Sequence, residues 1–256
     1  MRLIWVTDWP HPQMPKRDLP CFTVKTRVLE RDFHFVKERK SVISLGARLA
    51  FIREMFTDSH HTGSVYPSSR FLARALSKRV AESPARNGSR TILEGGSGTG
   101  PVTRQLIMMM NPGDRLFAFE LNERMAEVLE REVGPLAAKH QVELQVLCQP
   151  VQEVDRSVQF DEIVSCLPFN NFHPSLVEEI LDVYFAVLAP GGSLSFFEYL
   201  AMRHVKTMVS FGAKRKRLKE IAAVFNARFE AHSCESQNVM LNIPPATVHR
   251  LEAQAD

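Results

Sequence analysis

The ten residues Thr91–Gly100, with the sequence TILEGGSGTG, constrain the fold of this chain more than any other stretch. They predict a short buried strand that runs into a glycine-rich turn, and residues 101–110 predict a helix directly after it. This helix starts with proline, which is tolerated in the first turn because its missing N–H would have no helical partner there. Glycines at positions 96, 98 and 100 permit positive φ angles and let a ligand approach the bare main chain. The pattern therefore predicts a strand, loop and helix that bind a cofactor.

Two common glycine-rich loops do not fit these residues. A Walker A loop requires Gly-Lys-Ser or Gly-Lys-Thr to hold phosphates and magnesium. The sequence has no lysine between Lys78 and Lys139. A dinucleotide-binding loop requires a third glycine, but this position falls on Pro101 when the pattern is counted from Gly96 and Gly98.

Acidic residues at the ends of two predicted strands indicate a different cofactor. Glu94 lies just before the loop, where a carboxylate would repel a pyrophosphate but attract the amino group or the sulfonium of S-adenosylmethionine. Glu120 ends the second predicted strand, Arg115–Glu120, and a carboxylate at this place usually holds the two ribose hydroxyls. The alternative is a tight strand-to-helix turn without a ligand. It would explain a glycine loop alone, but it explains the combination of Glu94, the glycines and Glu120 less well.

Glu94, the glycines and Glu120 together resemble the first two cofactor motifs of class I methyltransferases, which read E-x-G-x-G-x-G followed by a strand-end acid. The resemblance implies S-adenosylmethionine as the cofactor. The cofactor-binding residues that it implies are Glu94, Gly95, Gly96, Ser97, Gly98, Thr99, Gly100, Glu120, Leu121, Gln149, Leu167 and Pro168.

The rest of the chain predicts strands that alternate with helices, which implies right-handed crossovers and a parallel sheet. After the predicted fifth strand, Ser193–Tyr199, a long helix over residues 202–226 precedes strand-like runs at 227–235 and 236–251, which predict an antiparallel hairpin. The expected architecture is the α/β class I methyltransferase fold. It comprises a Rossmann-like seven-stranded sheet with helices on both faces and a C-terminal antiparallel hairpin, plus an N-terminal helical extension.

The length of 256 residues is enough for one α/β core and an extension. We expect an N-terminal arm and amphipathic helical extension over residues 1–60 and the methyltransferase domain over residues 61–256. Helices are also predicted over residues 122–132 and from about Ser69, the latter with a buried stripe made of Phe71, Leu72, Ala75, Leu76 and Val80.

The composition limits which classes of partner can be expected for this protein. A net charge of +3 and a pI near 8.7 do not by themselves indicate nucleic acid. The four cysteines have no C-x-x-C spacing, so neither a metal site nor a disulfide framework is expected, and a reducing cytosol fits. No apolar stretch approaches the roughly 20 residues that a membrane-spanning helix needs. A membrane partner would therefore be met at its surface.

Two segments mix basic and apolar residues in the manner of membrane-surface elements. Residues 31–56 form an amphipathic helical pattern, part of which could equally cap the core of the catalytic domain. Residues 203–219 contain seven Lys and Arg side chains and no acid. Each base near an anionic leaflet contributes about 1 kcal/mol, although a solvated helix face or RNA phosphates would also suit them. We expect a cytoplasmic protein that is peripheral on the inner membrane through these segments.

Three further motifs resemble the bacterial phospholipid N-methyltransferases, which convert phosphatidylethanolamine towards phosphatidylcholine. They are GSVYPSSRFLARA at 63–75, IVSCLPF at 163–169 and LNIPPATVHR at 241–250, and the likeness covers roughly residues 51–251. It departs at Cys166, where that family usually has glycine, and at Cys148-Gln149-Pro150, where it usually has Gly-Asp-Ala beside the adenine. Gln149 could still hydrogen-bond the base through its amide.

The ribosomal RNA adenine dimethylases share the loop and place Asn-Leu/Ile-Pro-Phe/Tyr after the fourth strand. There the asparagine holds the exocyclic amine and the aromatic ring stacks on a flipped base. This chain keeps the proline and the aromatic ring but has Cys166 in place of the asparagine. A cysteine cannot orient an amino group in the same way, so the difference favours an aliphatic amine as the acceptor and no nucleic-acid partner.

The resemblance implies methylation of phosphatidylethanolamine and its methylated intermediates, with another aminolipid such as an ornithine lipid as the alternative. A third reading is a cofactor-binding membrane scaffold without turnover. An ammonium group has a pKa of roughly 10 and must lose its proton before it can accept a methyl group. The candidate headgroup and cofactor-pocket residues are Tyr66 and Tyr199, with His173 as the proton acceptor; Asn170 and Glu198 are further candidates.

Overall fold

The structure of this chain is a computed structural model that describes residues 69–83, 88–200 and 213–254. The predicted N-terminal extension, Tyr66, the 31–56 segment and most of the 203–219 segment lie outside these residues. Within them are five α-helices, seven strands and two short 3-10 turns. The elements are α1 (Arg70–Glu82), β1 (Thr91–Gly95), α2 (Pro101–Met109), β2 (Arg115–Phe119), α3 (Glu123–His140), β3 (Glu143–Leu147), a 3-10 turn (Val151–Glu153), β4 (Phe160–Ser165), a second 3-10 turn (Phe169–Asn171), α4 (Pro174–Val187), β5 (Leu188–Tyr199), α5 (Ala213–Ala231), β6 (Ser233–Val239) and β7 (Ala246–Glu252).

The described strands form one sheet in the order β3-β2-β1-β4-β5-β7-β6. Strands β1 to β5 are parallel, whereas β7 pairs antiparallel with both β5 and β6. The predicted seven-stranded sheet with a closing antiparallel hairpin is therefore confirmed. Gly95, the last residue of β1, is level with Phe119 of β2 and Ser165 of β4, so these strands end together at one edge. We call it the carboxyl edge; the strand order reverses there between β1 and β4, which is where open α/β sheets bind ligands.

Helices cover both faces of the sheet because successive strand residues point to opposite sides. In β1, Ile92 packs into the core with α1, α2 and α3, while its neighbour Leu93 packs into the core with α4 and α5. Both side chains are fully buried. Burial on both faces explains why the central strands are nearly continuous apolar runs.

The first helix differs from its prediction at one residue. Ser69 caps α1, since its side chain accepts a hydrogen bond from the Leu72 N–H, as the sequence indicated. Leu72, Leu76 and Val80 are fully buried, but Phe71 is 38% exposed. The prediction for Phe71 was wrong because the buried face of α1 is centred on position 72, which turns position 71 to the surface beneath the Arg70 guanidinium.

Two other boundaries also differ from their predictions. Helix α3 continues to His140 rather than ending near 132, because its last two turns bury Val133 and Ala137 in the core. Residues 227–231, predicted as strand, belong to α5, where Phe225 and Phe229 stack on the Phe196 ring of β5. Tertiary packing decided both boundaries.

Candidate functional site

The glycine loop after β1 is tied to the end of β2 by main-chain hydrogen bonds. The N–H groups of Gly96 and Ser97 donate to the Phe119 carbonyl over 2.8 and 3.1 Å. The Gly98 N–H donates to Oε2 of Glu120 over 2.8 Å. The three glycines at 96, 98 and 100 all adopt the positive φ angles that the sequence pattern predicted.

The glycines differ in what a side chain would meet. A Cβ on Gly96 would lie 2.8 Å from Leu167 Cδ2, and one on Gly100 would lie 2.6 Å from Leu129 Cδ1. A Cβ on Gly98 would meet nothing within 4 Å. Gly96 and Gly100 are therefore required by internal packing, whereas Gly98 presents open main chain at the carboxyl edge, as a loop that receives a ligand must.

Glu94 lies beneath this loop and is fully buried. Its Oε2 accepts a hydrogen bond from Thr103 Oγ1 over 2.6 Å, and its Oε1 lies 3.9 Å from Cys166 Sγ. Burial raises the pKa of this carboxyl to about 7, although the hydrogen bonds from Thr103, Ser97 and Cys166 lower it. A buried acid surrounded by hydrogen-bond donors is suited to a positively charged ligand, because the ligand charge offsets the cost of ionising the acid.

Glu120 lies at the end of β2, and only 2% of it is exposed. Besides the Gly98 N–H, the carboxylate accepts the Asn122 N–H on Oε1 over 2.8 Å. It therefore joins the glycine loop to the start of α3. It also lines a pocket at the carboxyl edge, together with Gly96, Phe119, Leu121, Gln149, Pro150, Val151, Gln152, Leu167, Phe172 and Ile180.

The pocket contains five of the twelve residues predicted to bind the cofactor. Leu121, Gln149 and Leu167 line it with Gly96 and Glu120, and the Gln149 amide is held by donating to the Glu153 carbonyl over 3.2 Å. Among the other predicted residues, Ser97 is buried, Thr99 is exposed and Pro168 precedes the second 3-10 turn. Val151, Gln152, Phe172 and Ile180 were missed, because their positions depend on how α4 and the first 3-10 turn pack.

The residues fit the cofactor that the sequence predicted. S-adenosylmethionine carries a cationic sulfonium and amino group, a ribose diol and a flat adenine. The described residues offer the buried Glu94 for the cation, Glu120 at the strand end for hydroxyls, and apolar Leu121 and Leu167 for a ring. The space next to Gly98 is open, since an added Cβ would meet nothing within 4 Å.

The predicted acceptor residues are more dispersed. Tyr199 is half-buried at the end of β5 with its ring 5.2 Å from that of Phe197, and burial raises its pKa. His173 is exposed and caps α4: its Nδ1 lies 2.9 Å from Ser175 Oγ and accepts the Ser175 N–H. Its role as a proton acceptor stays a prediction, as does the role of Tyr66.

A buried pair on the face of β5 opposite to Tyr199 was not predicted as a unit. Glu198, which is 8% exposed at the end of β5, places Oε2 3.3 Å from Nε2 of His249 on β7. The other ring nitrogen of His249 lies 2.8 Å from Ser236 Oγ. The pair arises only because β5 and β7 are neighbours in the sheet, and the sequence gives no local sign of it.

The described residues contain neither a candidate metal site nor a helix that could span a membrane. No group of three His, Cys, Asp or Glu side chains in ranges 69–83, 88–200 and 213–254 is arranged to hold a metal ion. Within the same ranges, none of the helices combines the length and the apolar character needed to cross a bilayer.

Comparisons with known proteins agree with this geometry. Residues 92–192 match the family described as "Methyltransferase domain". The chain is also 30% identical over 148 residues to an ornithine lipid N-methyltransferase from Singulisphaera acidiphila. This alignment covers 57% of the present chain and 74% of that relative.

Solved methyltransferase structures share the fold. The O-methyltransferase TomG from Streptomyces achromogenes, in complex with SAM, has a TM-score of 0.58 and 12% identity, and the match covers 84% of this chain and 93% of TomG. The 1,6-didemethyltoxoflavin-N1-methyltransferase from Burkholderia thailandensis, with S-adenosylhomocysteine bound, has a TM-score of 0.55 and 19% identity, with coverage of 86% and 98%. At these identities the likeness concerns the fold alone.

Proposed function

Because this chain belongs to the class I S-adenosylmethionine-dependent methyltransferases, in the group that resembles lipid N-methyltransferases, we propose that it methylates the amine headgroup of a membrane lipid. The observation that carries the proposal is the 30% identity to an ornithine lipid N-methyltransferase over 74% of that relative. The absence of an asparagine at Cys166 supports an aliphatic amine over a nucleobase as the acceptor.

The cofactor half of the site acts by binding and orientation. S-adenosylmethionine, when bound, supplies an activated methyl group on a sulfonium. In the proposal, Glu94 attracts the positive end of the cofactor from beneath the loop, and Glu120 receives its ribose hydroxyls. Gly98 leaves room for close approach to the main chain. These groups are held by hydrogen bonds before any ligand arrives, so little reorganisation is required on binding.

The acceptor half must present a neutral amine in line with the methyl group. A primary ammonium has a pKa of roughly 10, so it has to lose a proton at the site. We assign the contacts with the headgroup to Tyr199 and Tyr66. His173 would accept the proton of the ammonium.

Two lipids share this acceptor chemistry. Phosphatidylethanolamine is favoured by the motifs at residues 63–75, 163–169 and 241–250, which resemble phospholipid N-methyltransferases. An ornithine lipid is favoured by the likeness to the ornithine lipid N-methyltransferase of Singulisphaera acidiphila. Both carry a primary aliphatic amine, so one experiment can compare them directly.

The test uses the purified chain, S-adenosylmethionine with a labelled methyl group, and vesicles that contain either lipid. A parallel reaction contains total RNA. We expect label in the organic phase with at least one aminolipid, and none with vesicles of phosphatidylcholine alone. Label in RNA only would overturn the proposal. Cofactor binding without any labelled product would identify a scaffold without turnover and would also overturn it.

The location of the protein forms part of the same proposal. A cytoplasmic protein, peripheral on the inner membrane, would reach an aminolipid substrate without a spanning helix. The basic and amphipathic segments 31–56 and 203–219 would provide contact with the anionic surface. No nucleic-acid partner is proposed.

A further inference from the structure

Exposed apolar side chains gather at one place on this protein. Within the described residues, five large apolar side chains are exposed, and four of them belong to α1 and the β6–β7 loop. They are Phe71 (38%), Met240 (66%), Leu241 (68%) and Ile243 (79%). The fifth, Met108 on α2, is 53% exposed. An apolar cluster of this kind marks an interaction site rather than an ordinary surface.

The β6–β7 loop is built to hold these side chains outward. Between Leu241 and Ile243 lies Asn242, of which only 4% is exposed. Its side chain donates to the Pro244 carbonyl over 2.6 Å and accepts the Ser69 N–H over 3.4 Å. The inward asparagine therefore fixes the loop to the start of α1 and leaves the apolar residues on either side in solvent.

This loop lies at the carboxyl edge of the sheet. Ala246, the first residue of β7, pairs with Tyr199, the last residue of β5. The Leu200 N–H donates to the Pro245 carbonyl over 2.7 Å, which fastens the loop to the end of β5. The glycine loop follows β1 at the same edge. The apolar cluster and the cofactor loop thus face the same side of the molecule.

Basic side chains flank the apolar cluster. A groove between α1 and β6 is lined by Phe71, Arg74, Ala75, Lys78, Gln237, Asn238, Val239, Met240 and Leu241, so its lining includes two bases and no acid. Arg74 and Lys78 are exposed, and Glu82 lies 3.8 Å from Lys78 in a half-exposed pair. Two bases and one acid leave this side of α1 positively charged beside the apolar cluster.

We infer that Phe71, Met240, Leu241 and Ile243, flanked by Arg74 and Lys78, form a docking surface for an anionic phospholipid bilayer. An exposed apolar cluster beside basic residues suits a bilayer surface, where acyl chains lie under negatively charged headgroups. A bilayer at this edge would bring headgroup amines to the side where the cofactor loop opens. The inference rests on the proposed function for its purpose, and it adds a surface distinct from segments 31–56 and 203–219.

The test measures partition onto vesicles that contain no acceptor amine, so that docking is separated from methyl transfer. The vesicles are made of phosphatidylcholine with phosphatidylglycerol, and the full chain is sedimented with them. Leu241→Ser with Ile243→Ser should lower the partition coefficient about tenfold for each residue. Arg74→Gln with Lys78→Gln should lower it about fivefold for each base, and only on the anionic vesicles.

Matched controls lie elsewhere on the same chain. Met108→Ser removes an apolar side chain of α2 that is also more than half exposed, and Lys139→Gln with Arg156→Gln removes two exposed bases. Both controls should bind vesicles like the wild type. If the loop and α1 variants also bind like the wild type, the inference is overturned. The wild type could also form a dimer without vesicles that Leu241→Ser with Ile243→Ser dissociates. The surface would then be a contact between two copies of the chain, and the inference of a bilayer would be overturned.

A second readout separates this inference from the proposed function. The ratio of the methyl-transfer rate on aminolipid vesicles to that on short-chain, monomeric aminolipid should fall about tenfold or more in the loop variants and stay constant in the controls. If the wild type methylates no aminolipid in either form but still docks through these residues, the proposed function fails and the surface stands. If the loop variants methylate aminolipid with an unchanged ratio, the proposed function stands and the docking surface is overturned.

Discussion

The two halves of the carboxyl edge are built in opposite ways. Around β1 and β2, the loop amides are joined to carbonyls and carboxylates, and Glu94 and Glu120 are almost wholly buried. Around β5 and the β6–β7 loop, the edge presents the half-buried Tyr199 and the exposed Leu241 and Ile243. The polar groups of the first half are held by hydrogen bonds to other residues of the chain. The second exposes apolar surface beside the bases of α1, which is the surface inferred above to dock on a bilayer.

Removal of the buried acid Glu94 should have the largest effect on cofactor binding. Glu94→Ala is expected to weaken S-adenosylmethionine binding at least about a hundredfold, because it deletes the charge that faces the cationic ligand. Isothermal titration calorimetry measures the effect. Glu162→Gln, which alters another buried carboxyl at the far end of β4, is the matched control and should bind normally. Full retention by Glu94→Ala would remove this residue from the site.

The glycine loop should tolerate side chains unequally. Gly100→Ala is expected to lower the free energy of unfolding by about 3 kcal/mol, because it adds overpacking against Leu129 and Val133 to the strain of a φ angle of +90°. Gly88→Ala has a similar φ angle of +88° but meets nothing within 4 Å, so it should cost about 1 kcal/mol. Urea unfolding compares the two. Equal losses would contradict the packing account of Gly100.

The pH should act on the cofactor half through Glu94. Burial raises the pKa of this carboxyl to about 7, so the acid is neutral below that pH and ionised above it. Affinity for the cationic cofactor should therefore rise about tenfold per unit as the pH approaches 7 from below, and level off above it. Glu94→Gln should bind weakly and show no such rise. A wild-type affinity that is flat between about pH 6 and pH 8 would contradict this role.

The same shift has a consequence for stability without ligand. The pKa of Glu94 is about 7 in the folded protein and 4.5 in the unfolded chain. The free energy of unfolding should therefore fall as the pH rises from 4.5 to about 7, by an amount on the order of 3 kcal/mol. Burial raises the pKa of Glu162 to about 7 as well, so two groups contribute in this window. Glu94→Gln should remove about half of the pH dependence of the unfolding free energy, and saturating cofactor should suppress the part due to Glu94.

The acceptor half should show a smaller and more selective effect. Tyr199→Phe is expected to lower kcat for the lipid about tenfold, the cost of one hydrogen bond, without changing cofactor affinity. Tyr184→Phe is the control: its hydroxyl is buried and bonded to Ser165 Oγ over 3.2 Å, so its loss should reduce stability but not kcat. A fall in cofactor affinity with Tyr199→Phe would place this tyrosine in the cofactor half.

The contrast between the halves also explains what the sequence could predict. Glu94, the glycine loop and Glu120 were predicted because their geometry follows from residues close together in the chain. The helical position of Phe71 was mistaken, because helical spacing alone does not tell which side of an apolar stripe meets the sheet. The contact between Glu198 and His249 joins residues 51 positions apart through strand order, which no local pattern encodes.

The most direct measurement is mass spectrometry of the aminolipid recovered after incubation with the purified chain and S-adenosylmethionine. The account predicts a headgroup fragment that has gained one or more methyl groups on its amine nitrogen, with Glu94→Ala giving none. An unmodified lipid, or a methyl group on an oxygen of the headgroup, would contradict the proposal that this chain is an aminolipid N-methyltransferase.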